Sequence, residues 1–75
     1  MKKFSSKKRS KMLSNLRRNR ILQGKTQLDL MLESGVHQTF ISLFENGYRK
    51  PSEIQKKNLA KALEVPENEL FPEED

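Results

Sequence analysis

The feature that most constrains the fold of this chain is a pair of short helical segments separated by a very tight turn. Thr26 is a good N-cap for the first segment, which the residue types predict as a helix over residues 27–33. Ser34 and Gly35 end that helix, and only Val36 and a capping residue come before the next helical pattern. Such a turn needs a residue with positive φ, a conformation that glycine adopts without steric cost. The sequence therefore predicts two short helices joined through Gly35.

The second helix of this pair has two sides of different chemistry. It is predicted to begin at His37 or Gln38 and to run to about Asn46, with Gly47 ending it. At 100° per residue, one side holds Phe40, Ile41, Phe44 and Glu45. The other side carries no charge and consists of Gln38, Thr39, Ser42, Leu43 and Asn46. Uncharged side chains that donate and accept hydrogen bonds can read base edges in the major groove of DNA, and a leucine there can touch a thymine methyl.

Glu45 is one of two charged residues that the spacing places on apolar helix faces. In the helix that precedes Gly24, Leu13, Leu16 and Arg20 fall at i, i+3 and i+7, so Arg20 shares a face with two leucines. A buried charge without a partner is costly. An arginine at this position therefore needs a partner.

The rest of the chain predicts two more helices and no strand. Ser52 and Gln55 have the spacing of a capping box that opens helix four. The buried side of that helix is predicted to contain Ile54, Leu59, Ala62 and Leu63. Pro66 preorganises a last short helix that carries Leu70 and Phe71. Because no segment alternates with period two over a useful length, the predicted fold is all-α with five helices.

The charge of the chain is distributed unevenly. Residues 1–25 contain ten basic side chains and no acidic one, whereas residues 26–75 contain five basic and ten acidic ones, so a head of +10 precedes a body of −5. This asymmetry points to a polyanionic partner, either nucleic acid or an anionic membrane surface. We expect a flexible basic arm over residues 1–10, a folded domain over residues 11–71 and a short acidic tail over residues 72–75.

The composition argues against several other classes of protein. There is no cysteine and only one histidine, so no metal or cofactor is expected. The sequence has no Ser-His-Asp arrangement with supporting glycine turns, no glycine-rich phosphate loop and no evident carboxylate pair, so an enzyme is not expected. Apolar runs are too short for a membrane span or a signal peptide, which predicts a cytoplasmic protein, nucleoid-associated if its polyanionic partner is DNA.

The segment from Thr26 to Phe44, followed by Glu45-Asn46-Gly47, resembles the Cro/CI-type (XRE family) helix-turn-helix domain of phage repressors and related bacterial regulators. The later stretch NLAKALEVPENELF is similar to the fourth and fifth helices of that family. The resemblance covers about residues 13–71 and rests on matches in register at Gln27, Gly35, Gln38, Ile41, Glu45, Gly47, Pro51, Ala60 and Leu63. It implies a compact lambda-repressor-like fold. It also implies a transcriptional regulator that binds double-stranded DNA sequence-specifically, as repressors of the phage or mobile-element type do.

The resemblance also implies roles for individual residues. Bases are read in the family at the positions of Gln38, Thr39, Ser42 and Leu43. The DNA backbone is held at the positions of Gln27, Asn46, Tyr48, Arg49 and Lys50. Arg20 and Glu45 match a structural ion pair between helices one and three. His37 is expected from its position to cap helix three or to contact phosphate.

Departures from the family pattern leave other functions open. Leu28 and Leu32, one turn apart on helix two, replace residues that are usually polar, and Glu64 replaces a usual glycine. The two leucines and the acidic tail favour an antitoxin- or antirepressor-like module that binds a protein partner as well as DNA. A third hypothesis is an RNA or anionic-membrane binder acting through residues 1–25.

The regulator hypothesis carries its own expectations about partners. It predicts a weak homodimer that is completed on a palindromic DNA operator, and it includes no membrane partner. Leu70, Phe71 and neighbouring apolar residues are the ones expected to be available for self-association.

Overall fold

Five helices form the secondary structure of residues 14–72, the part of the chain that the computed structural model describes. They are α1 (Asn15–Leu22), α2 (Gln27–Ser34), α3 (Gln38–Glu45), α4 (Glu53–Leu63) and α5 (Glu67–Leu70). No strand occurs among these residues. The predicted all-α fold of five helices is confirmed, with α2 extending one residue further than its sequence pattern indicates. The predicted basic arm, Leu13 and residues 73–75 of the tail lie outside the described residues.

Local capping explains where two of these helices begin. The Thr26 side chain accepts a hydrogen bond from the Asp29 backbone N–H at 2.9 Å, and the Thr26 N–H donates to the Asp29 carboxylate at 2.9 Å. Ser52 and Gln55 make the same reciprocal pair, at 3.2 and 2.9 Å. Each box satisfies two backbone donors that a helix N-terminus would otherwise leave unpaired. The starts of α2 and α4 are therefore fixed by residues three apart.

One apolar core holds the helices together. α2 packs against α3 and α4, α1 packs against α3 and α5, and α4 packs against α5. The buried apolar side chains are Leu16, Leu30, Val36, Ile41, Phe44, Leu59, Ala60, Leu63 and Leu70. Burying a leucine or isoleucine fully contributes roughly 1.5–3 kcal/mol relative to leaving it exposed. Because every helix supplies at least one of these residues, the core fixes α3 relative to the other four.

The turn between α2 and α3 is anchored as well as tight. Gly35 ends α2 with φ 80°, and its N–H donates to the Met31 carbonyl. The next residue, Val36, donates its N–H to the Ser34 hydroxyl at 3.0 Å and buries its side chain in the core. A residue with an L side chain would be strained in the backbone conformation of Gly35. The left-handed glycine and the buried valine together set the direction in which α3 leaves the turn.

The predicted buried side of α4 is wrong at Ile54, which is 63% exposed. Ile54 lies about 140° around the helix from Leu59 and about 180° from Leu63, since successive residues are about 100° apart. Leu59 and Leu63 are fully buried, so Ile54 must face away from the core. Ala60, and not Ile54, belongs to the buried side of α4, and Ala62 is half-buried against the core.

Leu70 also departs from its expected role. It is 3% exposed and belongs to the core, so it is not available for self-association, and Phe71 is half-buried against the same core. Within residues 14–72, the exposed large apolar side chains lie elsewhere, at Ile21, Leu22, Leu28, Leu32, Tyr48 and Ile54. Leu70 instead attaches the short α5 to the rest of the domain.

The end of α4 carries a backbone conformation that usually belongs to glycine. Glu64 caps the helix with φ 60° and ψ 41° and is the one non-glycine residue with positive φ among residues 14–72. A side chain in this left-handed region costs roughly 1–2 kcal/mol. The last turn of α4 is supported by the residue that caps the end of α1, because the Gln23 amide donates to the Leu63 carbonyl at 2.8 Å.

Candidate nucleic-acid interface

The side of α3 that faces away from the core carries the five uncharged residues singled out by the sequence. Gln38, Thr39 and Asn46 are exposed, whereas Ser42 and Leu43 are half-buried. The opposite side is held by Ile41 and Phe44 in the core. α3 thus presents short polar side chains on a helix whose backbone is firmly anchored.

The side chains at the two ends of α3 are already bonded to the helix backbone. At the N-terminus, His37 Nδ1 accepts a hydrogen bond from the Thr39 N–H at 3.0 Å. A neutral imidazole that accepts at Nδ1 carries its proton at Nε2, which leaves one N–H donor for another partner. At the C-terminus, the Asn46 amide donates to the Ser42 carbonyl at 2.9 Å. Both residues are exposed, so their remaining polar groups are open to a ligand.

Arg20 and Glu45 meet beneath the interface in a bidentate ion pair. Arg20 Nε donates to Glu45 Oε2 at 2.7 Å, and Arg20 Nη2 donates to Glu45 Oε1 at 3.0 Å. Their side chains are only 11% and 3% exposed. Arg20 Nη1 also donates to the Lys25 carbonyl at 2.8 Å, which ties the chain just before α2 to the same arginine. The pair therefore links α1, the entry to α2 and the end of α3.

Gln27, the first residue of α2, contacts this ion pair. Its Nε2 donates to Glu45 Oε1 at 3.1 Å, and the residue is half-buried. The sequence places Gln27 at a helix N-terminus but gives no sign of the contact with Glu45, because the two residues are 18 positions apart. A general rule that a buried carboxylate accepts several hydrogen bonds would have suggested a further donor, without naming which one.

Arg49 in the loop after α3 is placed by an aromatic pair. Its guanidinium lies 5.3 Å from the centre of the Phe40 ring, and Phe40 stacks on Phe44 with ring centres 6.2 Å apart. A cation over an aromatic face is attracted by the ring quadrupole. The neighbouring Tyr48 and Lys50 are exposed. The loop therefore offers two positive charges beside α3, one of them held over an aromatic ring.

Asp29 places a negative charge in the first turn of α2. The hydrogen bonds from the Thr26 backbone and hydroxyl hold the pKa of the Asp29 carboxyl below its usual value, and Lys25 acts weakly in the same direction. The Lys25 ammonium itself pairs with Glu33 at 2.6 Å. An ionised Asp29 completes the capping box, and its negative charge interacts favourably with the positive end of the helix dipole.

Neither a metal centre nor a membrane span is found in the described part of the chain. Residues 14–72 contain no group of three or more His, Asp or Glu side chains arranged to hold a metal ion. None of the five helices is both long enough and apolar enough to cross a bilayer.

Comparison with known proteins agrees with this architecture. A family model described as a helix-turn-helix matches residues 16–70. Among solved structures, the restriction-modification controller protein C.AhdI from Aeromonas hydrophila is 33% identical to this chain, with a TM-score of 0.73. That match covers 77% of this chain and 88% of the controller protein. No protein of curated function matched the sequence.

The matched region runs from α1 to the last residue of α5 and includes the turn at Gly35. It therefore contains the capped α2, the uncharged side of α3 and the ion pair that joins α1 to α3. On the family match and the structural match together, the chain belongs to the XRE-type helix-turn-helix family of DNA-binding transcription regulators.

Proposed function

We propose that this protein is a sequence-specific repressor of the phage or mobile-element type, and that α3 reads bases in the major groove of its operator. The observation that carries the proposal is the exposed side of α3, which is polar but carries no charge. A helix of this kind can exchange hydrogen bonds with base edges without having to remove a full charge from water. The similarity to a restriction-modification controller supports a regulatory role.

Four residues are proposed to read the bases. Gln38 can bond adenine through both its amide atoms, and Thr39 and Ser42 can bond a donor or an acceptor on any base. Leu43 is proposed to contact a thymine methyl. Gln38 and Thr39 are exposed, and Ser42 and Leu43 are half-buried on the same side of the helix.

The DNA backbone is proposed to contact residues on both sides of α3. Gln27 and His37 lie at the N-termini of α2 and α3, where backbone N–H groups also favour an anion. Asn46, Tyr48, Arg49 and Lys50 follow the end of α3. If about six to ten phosphates are neutralised, affinity falls roughly a thousandfold or more between 50 and 200 mM salt.

The operator is proposed to be palindromic and to be bound by a weak homodimer that forms on DNA. Two-fold binding to half-sites about one helical turn apart is common for helix-turn-helix proteins. The burial of Leu70 in the core supports weak association in the absence of DNA, since it removes an apolar residue from the surface. A tight dimer at nanomolar concentration without DNA would contradict this part of the proposal.

A protein-binding role is the second candidate, supported by two exposed leucines on α2. Leu28 is 48% exposed and Leu32 is 73% exposed, one helical turn apart. In this role the protein is itself an antitoxin- or antirepressor-like module, and its partner protein covers the two leucines. If so, the protein co-purifies with the product of a neighbouring gene, and replacing both leucines by serine abolishes that association while leaving DNA binding intact.

The experiment that tests the main proposal is selection of bound duplexes from a random pool. The proposal expects a short motif repeated as an inverted pair, with centres about one helical turn apart. Enrichment without any shared motif would show that the protein binds DNA through charge alone and would overturn base reading by α3.

A further inference from the structure

The carboxylate of Glu45 is shared by two residues that sit on different helices. Oε2 accepts from Arg20 Nε at 2.7 Å, while Oε1 accepts both from Arg20 Nη2 at 3.0 Å and from Gln27 Nε2 at 3.1 Å. The Glu45 side chain is 3% exposed, so these hydrogen bonds replace nearly all of its hydration. Arg20 balances the charge, which leaves the contact with Gln27 to be explained.

The chemistry of Glu45 dictates which way round the Gln27 amide lies. An ionised carboxylate only accepts hydrogen bonds, so the amide must turn its nitrogen, and not its oxygen, toward Glu45 Oε1. The reversed amide would set two oxygens against each other. A free glutamine side chain samples both orientations and several rotamers, whereas this one is held in one of them.

The fixed orientation decides what the amide can offer to a ligand. Nε2 has two N–H donors, and the bond to Glu45 uses one of them. The second donor and the amide oxygen remain, on a side chain that is half-buried at the first position of α2. A phosphate oxygen accepts hydrogen bonds, so the second N–H is the group that a phosphate can use.

We propose that Glu45, charge-balanced by Arg20, is a positioning residue that orients the Gln27 amide so that its second N–H donates to a DNA phosphate. This inference rests on the proposed contact of Gln27 with the DNA backbone, and it identifies Glu45 as the group that orients the Gln27 amide for that contact. Arg20 contributes twice, because it holds Glu45 and also donates to the Lys25 carbonyl just ahead of α2. The ion pair therefore stabilises the fold and also positions α2 for its proposed contact with the DNA backbone.

A double-mutant cycle separates these two roles. Replacing the pair together, Arg20→Met with Glu45→Leu, removes both charges without leaving one buried and unpaired. In the natural background, Gln27→Ala is expected to lower affinity about tenfold on every duplex, as loss of a hydrogen bond to a charged group does. In the background without the pair, the same substitution is expected to change affinity less than about threefold, because the amide is no longer oriented.

Lys50→Ala is the matched control for this cycle. Lys50 is exposed, and it is not among the residues that bond to Arg20 or Glu45, so its loss should weaken binding equally in both backgrounds. An equal effect of Lys50→Ala together with a reduced effect of Gln27→Ala supports positioning. An undiminished effect of Gln27→Ala in the background without the pair would overturn the inference but leave the phosphate contact standing. No effect of Gln27→Ala in the natural protein would remove the phosphate contact itself, and the inference with it.

NMR of the unaltered protein gives a test that does not depend on a variant folding. The two side-chain N–H protons of Gln27 should respond differently when a specific duplex is added. The proton bonded to Glu45 is expected to keep its chemical shift, while the other moves as it meets a phosphate. A large shift of both protons, as the amide leaves Glu45, would contradict the proposal.

Discussion

The two sides of α3 differ in a way that inverts the usual pattern of an amphipathic helix. On ordinary surface helices, charged residues face water and apolar residues face the core. In α3 the one charged residue, Glu45, is buried against Arg20, while the exposed side from Gln38 to Asn46 carries no charge. The charge of α3 itself therefore serves the structure, whereas the surface proposed to read bases is neutral.

This division of labour has a physical reason. A charged group on the reading side would add an attraction to, or a repulsion from, the phosphates of every sequence, and it would lose its hydration on contact. Neutral donors and acceptors gain only where the matching base edge is present. If the two sides of α3 are as separate in function as they are in chemistry, substitutions on the buried side should change stability and substitutions on the exposed side should change DNA binding.

The largest effect is expected from breaking the buried side. Glu45→Ala leaves Arg20 buried without its partner and should lower the free energy of unfolding by about 3–5 kcal/mol. Thr39→Ala, on the exposed side, should change it by less than about 0.5 kcal/mol. Urea unfolding followed by circular dichroism measures both.

An exposed ion pair supplies the control for that prediction. Lys25 and Glu33 lie 2.6 Å apart, but the Glu33 side chain is 45% exposed. Glu33→Ala should therefore cost less than about 1 kcal/mol. A similarly small cost for Glu45→Ala would mean that burial does not distinguish the two pairs, and the comparison of the two sides would fail.

The next effect concerns charge beside α3, and it should appear in affinity and not in specificity. Arg49→Ala or Lys50→Ala is expected to weaken binding to all duplexes and to reduce the slope of log affinity against log salt by about 1. Lys61→Ala, exposed on α4, is the control and should leave the slope unchanged. Fluorescence anisotropy at several salt concentrations measures the slopes. A change of sequence preference in either loop variant would show that charge takes part in reading.

A smaller effect is expected far from both sides, at the end of α4. Glu64→Gly relieves the left-handed strain of the side chain, partly offset by the flexibility of glycine in the unfolded chain. The free energy of unfolding of the variant, measured in the same urea experiment, should be higher by about 0.5–1 kcal/mol. Its affinity for DNA should not change, which would show that stability alone does not alter reading. Lower stability would contradict the strain assigned to Glu64.

The smallest effect is a pH dependence carried by Asp29. Because its carboxyl has a pKa below the ordinary value near 3.8, the folded state binds this proton less readily than the unfolded state does. The stabilisation is therefore complete above the ordinary pKa and is lost as pH falls through the lowered one. The difference in unfolding free energy between the natural protein and Asp29→Ala should shrink below about pH 4. A difference that stays constant from pH 6 to pH 2 would contradict the capping role.

Features that depend on neighbouring residues could be predicted from the sequence. Thr26 and Gly35 mark the start and end of α2 because capping and positive φ are properties of single residues and their near neighbours. The helical spacing also predicts that Arg20 and Glu45 each lie on an apolar face and need a partner, whereas their pairing with each other is implied by the family resemblance.

Features that depend on distant neighbours could not be predicted in the same way. The bond from Gln27 to Glu45 depends on how α2 and α3 cross, and nothing within one turn of either residue signals it. The placement of Arg49 over Phe40 depends likewise on how the loop folds back. Ile54 is a different case, because its angular separation of about 140° from Leu59 along the same helix is enough to predict that it faces away from the core.

The most direct test of the central claim is the affinity of Gln38→Ala for the selected operator and for an unrelated duplex. The account predicts a loss of about 1–3 kcal/mol on the operator, with relaxed preference at one position of each half-site. Binding to the unrelated duplex should stay almost unchanged, because Gln38 carries no charge. An equal loss on both duplexes would contradict the claim that the neutral side of α3 is the reader.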